Sequence, residues 1–284
     1  MIDQKSSLTA LGTAYMRAAH QVLDAAPRIL DDPVAANLLG PSSRQLLLDS
    51  AAQYRTPEHL ALRSHCVLRS RYAEDRLAAA VRRGVTQYVV LGAGFDTFAL
   101  RQPDWARGLK IFEIDHSATQ GQKRELLAAA GLTLPDNAAF ATVDFERESL
   151  RDGLARGGVG LGEPTFFSWL GVTGYLRVEA IDAVFRTVAG FPADSEVTLT
   201  FRQPPTPGDR EEEERFAKMA RRVASLGEPF VTFFTPAELE ARLRAAGFSR
   251  VEFLTPAQAE AAYFRQRPPD LPVPDRITIV SAIK

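Results

Sequence analysis

The chain has 284 residues, of which 45% are hydrophobic, and a formal net charge of -1. That length can bury a large core as one α/β domain or as a domain with an elaborated cap, and the near-neutral charge supplies no bulk basic field to recruit nucleic acid or an anionic membrane. A lone cysteine, Cys66, excludes an internal disulfide framework and any cysteine-cluster zinc site, and suits a reducing cytoplasm.

No apolar stretch approaches the roughly 18 residues that cross a bilayer, and "MIDQKSSLTALG" lacks the basic start and apolar middle of a signal peptide. A cytoplasmic protein is therefore expected. From Leu8 through Leu11, Tyr15, Ala18 and Val22, apolar positions recur at three and four, which is helical periodicity. A second helix is predicted in "TPEHLALRSHCVLRSRYAEDRLAAAVRRG", with Thr56 as cap, Pro57 in the first turn and Gly84 at the end. Residues 1–84 read as a helical cap and lid, and 85–284 as a larger core.

The core begins with short apolar runs, "QYVVL", "LKIFEI", "AFATV", "PTFFSWL" and "EVTLTF", that alternate with "SATQGQKRELLAAAG", "ERESLRDGLARG" and "VEAIDAVFRTVAG". Such alternation is the mark of an α/β fold: a doubly wound, mostly parallel sheet with crossover helices on both faces. In "TPAELEARLRAAGF" Thr235 and Glu238 form a capping box, Pro236 enters the first turn and Gly247 stops the helix. A strand at "RVEFL", a proline-rich loop around residues 264 to 274 and a last strand "RITIVSAI" follow. One strand, a long return and a terminal strand predict that the last inserts antiparallel beside the one before it.

The first strand runs into "YVVLGAGFDTFALR", where Gly92 and Gly94 allow close backbone approach to a ligand at the switch point of an open sheet. The helix expected to follow would offer free N–H groups to an anion. A dinucleotide fingerprint wants a third glycine where this chain has Thr97, and Phe95 and Phe98 crowd the turn. About twenty residues on, Asp115 in "KIFEIDHSATQ" ends the next strand, where an acid accepts hydrogen bonds from ribose hydroxyls. Asp144 in "ATVDFE" stands where an acid can accept from an adenine amino group, with Phe145 near the ring. Either acid could instead cap the helix after it. Three ligand-ward groups on three successive strand ends describe an adenosine laid across the sheet.

With "LRSRYAEDRL", "VVLGAGFDTFALR", "FEIDHSATQ", "VDFERESL" and "FFSWLGVTGYL" in order, the chain resembles the bacterial class I S-adenosylmethionine-dependent methyltransferases related to leucine carboxyl methyltransferases, over roughly residues 56 to 190. The resemblance implies a Rossmann-like seven-stranded sheet with its last strand antiparallel, and S-adenosyl-L-methionine as cofactor. It implies that Gly92 and Gly94 face the cofactor's methionine part, that Asp115 meets its ribose, and that Asp144 and Phe145 frame its adenine. It further implies that Arg69 pairs with the cofactor carboxylate, a role suited to a planar guanidinium; Arg71 competes for it. Many relatives carry a glutamate before the glycine of the fourth motif, where this chain has Leu170 before Gly171.

By residue type and proximity to motifs, Tyr175, His65 and His116 are candidate bases or substrate-orienting groups. The cap and the aromatic run "EPFVTFFTP" suit a lid over a medium-sized organic acid or phenol. No His and acid cluster has metal-ligand spacing. The expected activity is O-methylation of a small molecule's carboxylate or hydroxyl, in specialised metabolism, with no nucleic-acid or membrane partner. A nicotinamide-dependent oxidoreductase and a degenerate fold that binds without turnover are the alternatives.

Overall fold

In the computed structural model, which describes residues 6–284, seven strands form one sheet. They are β1 Gln87–Leu91, β2 Lys110–Asp115, β3 Ala138–Thr142, β4 Thr165–Trp169, β5 Glu196–Thr200, β6 Arg250–Phe253 and β7 Ile279–Ile283. The order is β3-β2-β1-β4-β5-β7-β6. All neighbours run parallel except β7, which is antiparallel to both β5 and β6. The predicted antiparallel insertion is present, and β7 goes further by separating β6 from the rest of the sheet. The chain steps outward from β1 to β3 and then returns to β4 on β1's other side. The crevice for a ligand therefore opens at the carboxyl ends of β1 and β4.

The run Tyr88, Val89, Val90, Leu91 is apolar throughout because both faces of β1 are covered. Val89 and Leu91 join a cluster with Leu154 and Phe185, whereas Tyr88 and Val90 meet Leu77 and Ala80 on the opposite face. Each large side chain of this kind, fully buried, contributes about 1.5–3 kcal/mol.

Five helices precede the sheet: α1 Leu8–Leu23, α2 Ala35–Leu38, α3 Ser43–Asp49, α4 Ala51–Tyr54 and α5 Pro57–Arg82. Leu77 and Ala80 belong to α5, so the C-terminal half of α5 is part of the layer that covers the sheet. Thr56 stands at its N-cap, but the hydroxyl engages His59 Nδ1 at 2.8 Å rather than a backbone N–H. Gly84, at φ +102°, turns the chain into β1. Asp24 holds the helical region together: its carboxylate takes two hydrogen bonds from Arg63 and one from His20, each 2.8 Å, all out of solvent.

Between and after the strands lie α6 Ser117–Ala129, α7 Leu150–Arg156, α8 Val178–Ala189, α9 Arg210–Ser225, α10 Pro236–Ala246 and α11 Pro256–Ala259. The capping box of Thr235 and Glu238 forms, and Gly247 ends α10 at φ +108°. The helix expected from Glu146 starts later, at Leu150, because Ser149 caps it. Helix α9 has no forecast in the sequence, and neither has the short α11. The α9 segment opens "REEEER", and Phe216, Met219, Ala220 and Val223 along it are only half-buried. Among the described residues no helix is long and apolar enough to cross a membrane. The opening residues 1–5, weighed above for a signal peptide, lie outside the described residues.

Candidate active site

The glycine turn leaves β1 with Gly92 at φ +64° and Gly94 at φ +53°, in the left-handed region that favours glycine. A Cβ on Gly92 would stand 2.4 Å from Val172 Cγ2, so this turn and the loop after β4 touch. A Cβ on Gly94 would meet Ala10 of α1 at 3.2 Å. The helix expected next is absent: two short 3-10 turns, Phe98–Leu100 and Asp104–Ala106, take its place. Phe95, Thr97 and Phe98 are buried, and the Thr97 hydroxyl donates to Asp32 at 2.6 Å. Asp32 is fully buried and also faces Arg17 and Arg101 at 3.7 and 3.4 Å. The position where a dinucleotide fingerprint needs glycine is thus wired to the N-terminal segment, and no long helix dipole points at a pyrophosphate.

Asp115 ends β2 with one carboxylate oxygen taken by the Gly94 N–H at 2.5 Å and the other by the His116 N–H at 2.6 Å. Burial pushes this carboxyl above its ordinary range despite the two donors. Asp115 does not cap α6; His116 does, its Nδ1 accepting from the Ala118 N–H at 3.3 Å. Nor does Asp144 cap α7. Its side chain accepts from the Glu146 N–H at 2.9 Å and faces Arg147 at 3.8 Å. Phe145 lies 6.1 Å from the Trp169 ring at the end of β4. The Trp169 Nε1 is buried and has no hydrogen-bond partner among the described residues.

Arg69 and Arg71 part company. Arg71 is exposed and pairs with Asp75 one turn along α5 at 2.9 Å. Arg69 points at the loop after β4, where a Cβ on Gly171, at φ +80°, would come within 2.6 Å of its Nη1. His65 stands one turn before Arg69 on the same side of α5, with Nδ1 3.4 Å from the Thr278 hydroxyl. Burial, then the neighbouring Arg69 and Arg202 charges, push the His65 imidazole down to about 3.

Arg202, just beyond β5, drew no attention in the sequence. Its guanidinium carbon sits 3.7 Å from the centre of the Phe230 ring, Nη1 lies 3.7 Å from Met219 Sδ on α9, and the Tyr175 hydroxyl is at hand. Tyr175, Phe230, Phe233 and Phe216 continue as a chain of ring contacts, with centroids 5.1, 6.4 and 5.3 Å apart. The segment carrying Phe230 is pinned by Val231 N–H to Gly174 O at 2.8 Å and by the Thr232 hydroxyl to Leu176 O at 2.6 Å. The start of α1 bridges both halves of the site. Ser7 N–H donates to Thr119 of α6 at 3.2 Å and Thr9 N–H to Glu228 at 3.0 Å.

A seven-stranded sheet of this order, with a glycine turn after β1 and acids after β2 and β3, defines a class I methyltransferase fold. Two solved structures share it. A DUF574 family protein from Streptomyces avermitilis superposes with a TM-score of 0.56 at 17% identity over the whole of both chains. A provisionally named methyltransferase from Thermobifida fusca gives 0.54 at 20% identity, over 87% of this chain and 92% of its own. In sequence, residues 10–189 match the leucine carboxyl methyltransferase family, and the chain belongs to it. YktD of Bacillus subtilis, provisionally named an S-adenosyl-L-methionine-dependent methyltransferase, is 30% identical over the whole of both chains. FRAAL5401 of Frankia alni, named likewise, is 32% identical over 74% of this chain and 69% of its own. The protein is an S-adenosyl-L-methionine-dependent methyltransferase, and S-adenosyl-L-methionine is its cofactor.

Proposed function

We propose that this enzyme methylates a carboxylate or hydroxyl oxygen of a small organic molecule in specialised metabolism. The observation that carries it is the run of touching rings Tyr175, Phe230, Phe233 and Phe216, which Arg202 joins to the side of α5 that carries Arg69. An aromatic surface of that kind suits the carbon body of a small acid or phenol.

The residues fit the cofactor. Arg69 has no carboxylate within ion-pair distance among the described residues and is free to grip the cofactor's own with two charge-assisted hydrogen bonds. Asp115 spends one lone pair of each oxygen on backbone N–H groups, which leaves the others for ribose hydroxyls. Gly92 and Gly94 let the turn approach the methionine part. Asp144 and Phe145 frame the adenine, with Trp169 behind Phe145.

The cofactor supplies an electrophilic methyl group on a sulfonium. The protein's part is to align an oxygen with that methyl and to exclude water. A carboxylate acceptor is nucleophilic at pH 7 without help, whereas a hydroxyl needs a base. His65, which resists protonation down to about pH 3, is too weak a base for that task and serves as a neutral hydrogen-bonding group that orients the substrate. His116 spends Nδ1 on Ala118, so its neutral tautomer presents Nε2–H as a donor. Tyr175 places its phenol at the junction of Arg202 and the aromatic wall.

Calorimetric titration with S-adenosylmethionine, S-adenosylhomocysteine and NAD tests the cofactor; micromolar binding of the first two, about 8 kcal/mol, with none for NAD is expected. Mass spectrometry of acids and phenols incubated with enzyme and cofactor tests the acceptor. A product that loses its methyl in mild base is an ester, a stable one an ether. Methyl transfer to nitrogen or sulfur alone would overturn the oxygen assignment, and cofactor binding without any turnover would favour a binding protein.

A further inference from the structure

We infer that Arg202 is the acceptor-recognition residue and that it holds a carboxylate of the acceptor distinct from the oxygen that receives the methyl group. The inference rests on the cofactor and acceptor sites proposed above.

It starts from a contrast among the guanidiniums withdrawn from solvent. Arg63 has Asp24 at 2.8 Å, Arg76 has Glu196 at 2.6 Å, Arg101 has Glu74 at 2.5 Å and Arg17 has Asp32 at 3.7 Å. Removing a charge from water is costly unless an opposite charge meets it, and in these four cases one does. Arg202 breaks the pattern. Its neighbours are the Phe230 ring, the Met219 sulfur, the Tyr175 hydroxyl and the bare backbone of Gly174, where a Cβ would lie 3.1 Å from its Cδ. No carboxylate stands within ion-pair distance of it among the described residues. The nearby charge is another cation, Arg69, and burial together with that charge lowers the proton affinity of Arg202.

The cofactor does not redress the balance. It brings one carboxylate, which Arg69 takes, together with a cationic ammonium and the sulfonium. One anion short, the loaded site favours an acceptor that carries its own. The guanidinium is already fixed: Phe230 stacks on its face and Met219 closes one edge, so a carboxylate meeting the free edge loses little side-chain entropy to the protein. The neighbouring rings of Phe230, Phe233 and Phe216 take the carbon body. Because a guanidinium draws charge from the oxygens it binds, the carboxylate on Arg202 is a poor nucleophile, and the methyl goes to a second oxygen: the new O–CH3 bond forms as the sulfonium S–CH3 bond breaks, neutral S-adenosylhomocysteine leaves, and a hydroxyl acceptor gives up its proton to solvent.

The test uses the full chain, with and without saturating S-adenosylhomocysteine. Calorimetry compares 4-hydroxyphenylacetate and 4-hydroxybenzoate with their uncharged amides, against the native protein, Arg202→Met and Arg202→Lys. We expect each acid that binds to do so at least tenfold tighter than its amide, the preference to vanish in Arg202→Met and to return in part in Arg202→Lys, and S-adenosylhomocysteine affinity to stay within twofold. The urea midpoint of Arg202→Met should equal or exceed the native value, since an uncompensated cation has been removed. Equal affinity for acid and amide, a preference that survives in Arg202→Met, no acid binding at all, or unfolding of Arg202→Met would each overturn the proposal. Failure of native protein to bind S-adenosylhomocysteine would instead strike the cofactor site, while the comparison of acids with amides in cofactor-free protein still decides the role of Arg202.

Discussion

Replacing Gly92 by alanine probes the contact on which the site is built. Two costs are separable. An L-residue at φ +64° carries roughly 1–2 kcal/mol of backbone strain. The new methyl would also lie 2.4 Å from Val172 Cγ2, and overpacking of this kind costs about 1–3 kcal/mol. Together Gly92→Ala should lose about 2–5 kcal/mol and lower the urea midpoint by on the order of 1 M or more. The other Val172 atoms nearest to that methyl stand at 3.5 Å, an ordinary contact, so the clash resides in one γ-methyl. Val172→Ala removes it. In the double variant the steric part should therefore be relieved, giving a coupling of about 1–3 kcal/mol between the two sites while the backbone strain persists. Urea unfolding followed by tryptophan fluorescence measures all four corners of the cycle, and titration with S-adenosylhomocysteine reports whether the loops still close on the cofactor. Strict additivity, or a Gly92→Ala loss below about 0.5 kcal/mol, would mean that the two loops do not touch.

Asp115→Asn should weaken S-adenosylhomocysteine binding by about 1–3 kcal/mol in calorimetry, because one acceptor oxygen becomes a donor; unchanged affinity would remove Asp115 from the site. Asp24→Ala should cost about 3–5 kcal/mol in chemical unfolding, since it strands the buried Arg63 guanidinium. Burial alone would raise the Asp24 carboxyl, but hydrogen bonds from His20 and Arg63 hold it below its ordinary range, so its contribution persists above the ordinary value of 3.8 and is lost as pH falls through the lower folded value. For His65 the unfolded chain takes up a proton below 6.5 while the folded chain refuses it down to about 3, so acid destabilises the fold across that window. The slope is at most about 1.4 kcal/mol per pH unit. A flatter pH dependence of the urea midpoint in His65→Gln between pH 6.5 and 4.5 confirms this, and an unchanged slope refutes it.

Much of this was legible in the sequence because it rests on local chemistry. Apolar runs located the strands, Thr235 and Glu238 located a helix start, and the long return before residue 279 foretold an antiparallel terminal strand. The parts that escaped rest on distance in the chain. Nothing near Arg202 announces that Phe230 and Met219 will fold onto it, and "REEEER" hides an amphipathic helix whose apolar side is only half covered. The choice between Arg69 and Arg71 depended on which side of α5 faces the loop after β4, a matter of packing. The helix expected after Gly94 gives way to short 3-10 turns because Phe95 and Phe98 are drawn into the core and Thr97 is claimed by Asp32, 65 positions earlier.

The place of β7 between β5 and β6 has a consequence during synthesis. Thr198 and Ser281, whose hydroxyls meet at 2.7 Å, are 83 positions apart. At ribosomal speed this leaves the backbone edge of β5 unpaired for on the order of ten seconds after it emerges. An open strand edge invites pairing with other chains, so the nascent protein passes through a stage exposed to aggregation. A chain cut anywhere before β7 would keep that edge for good, and its fate is aggregation rather than a smaller working enzyme.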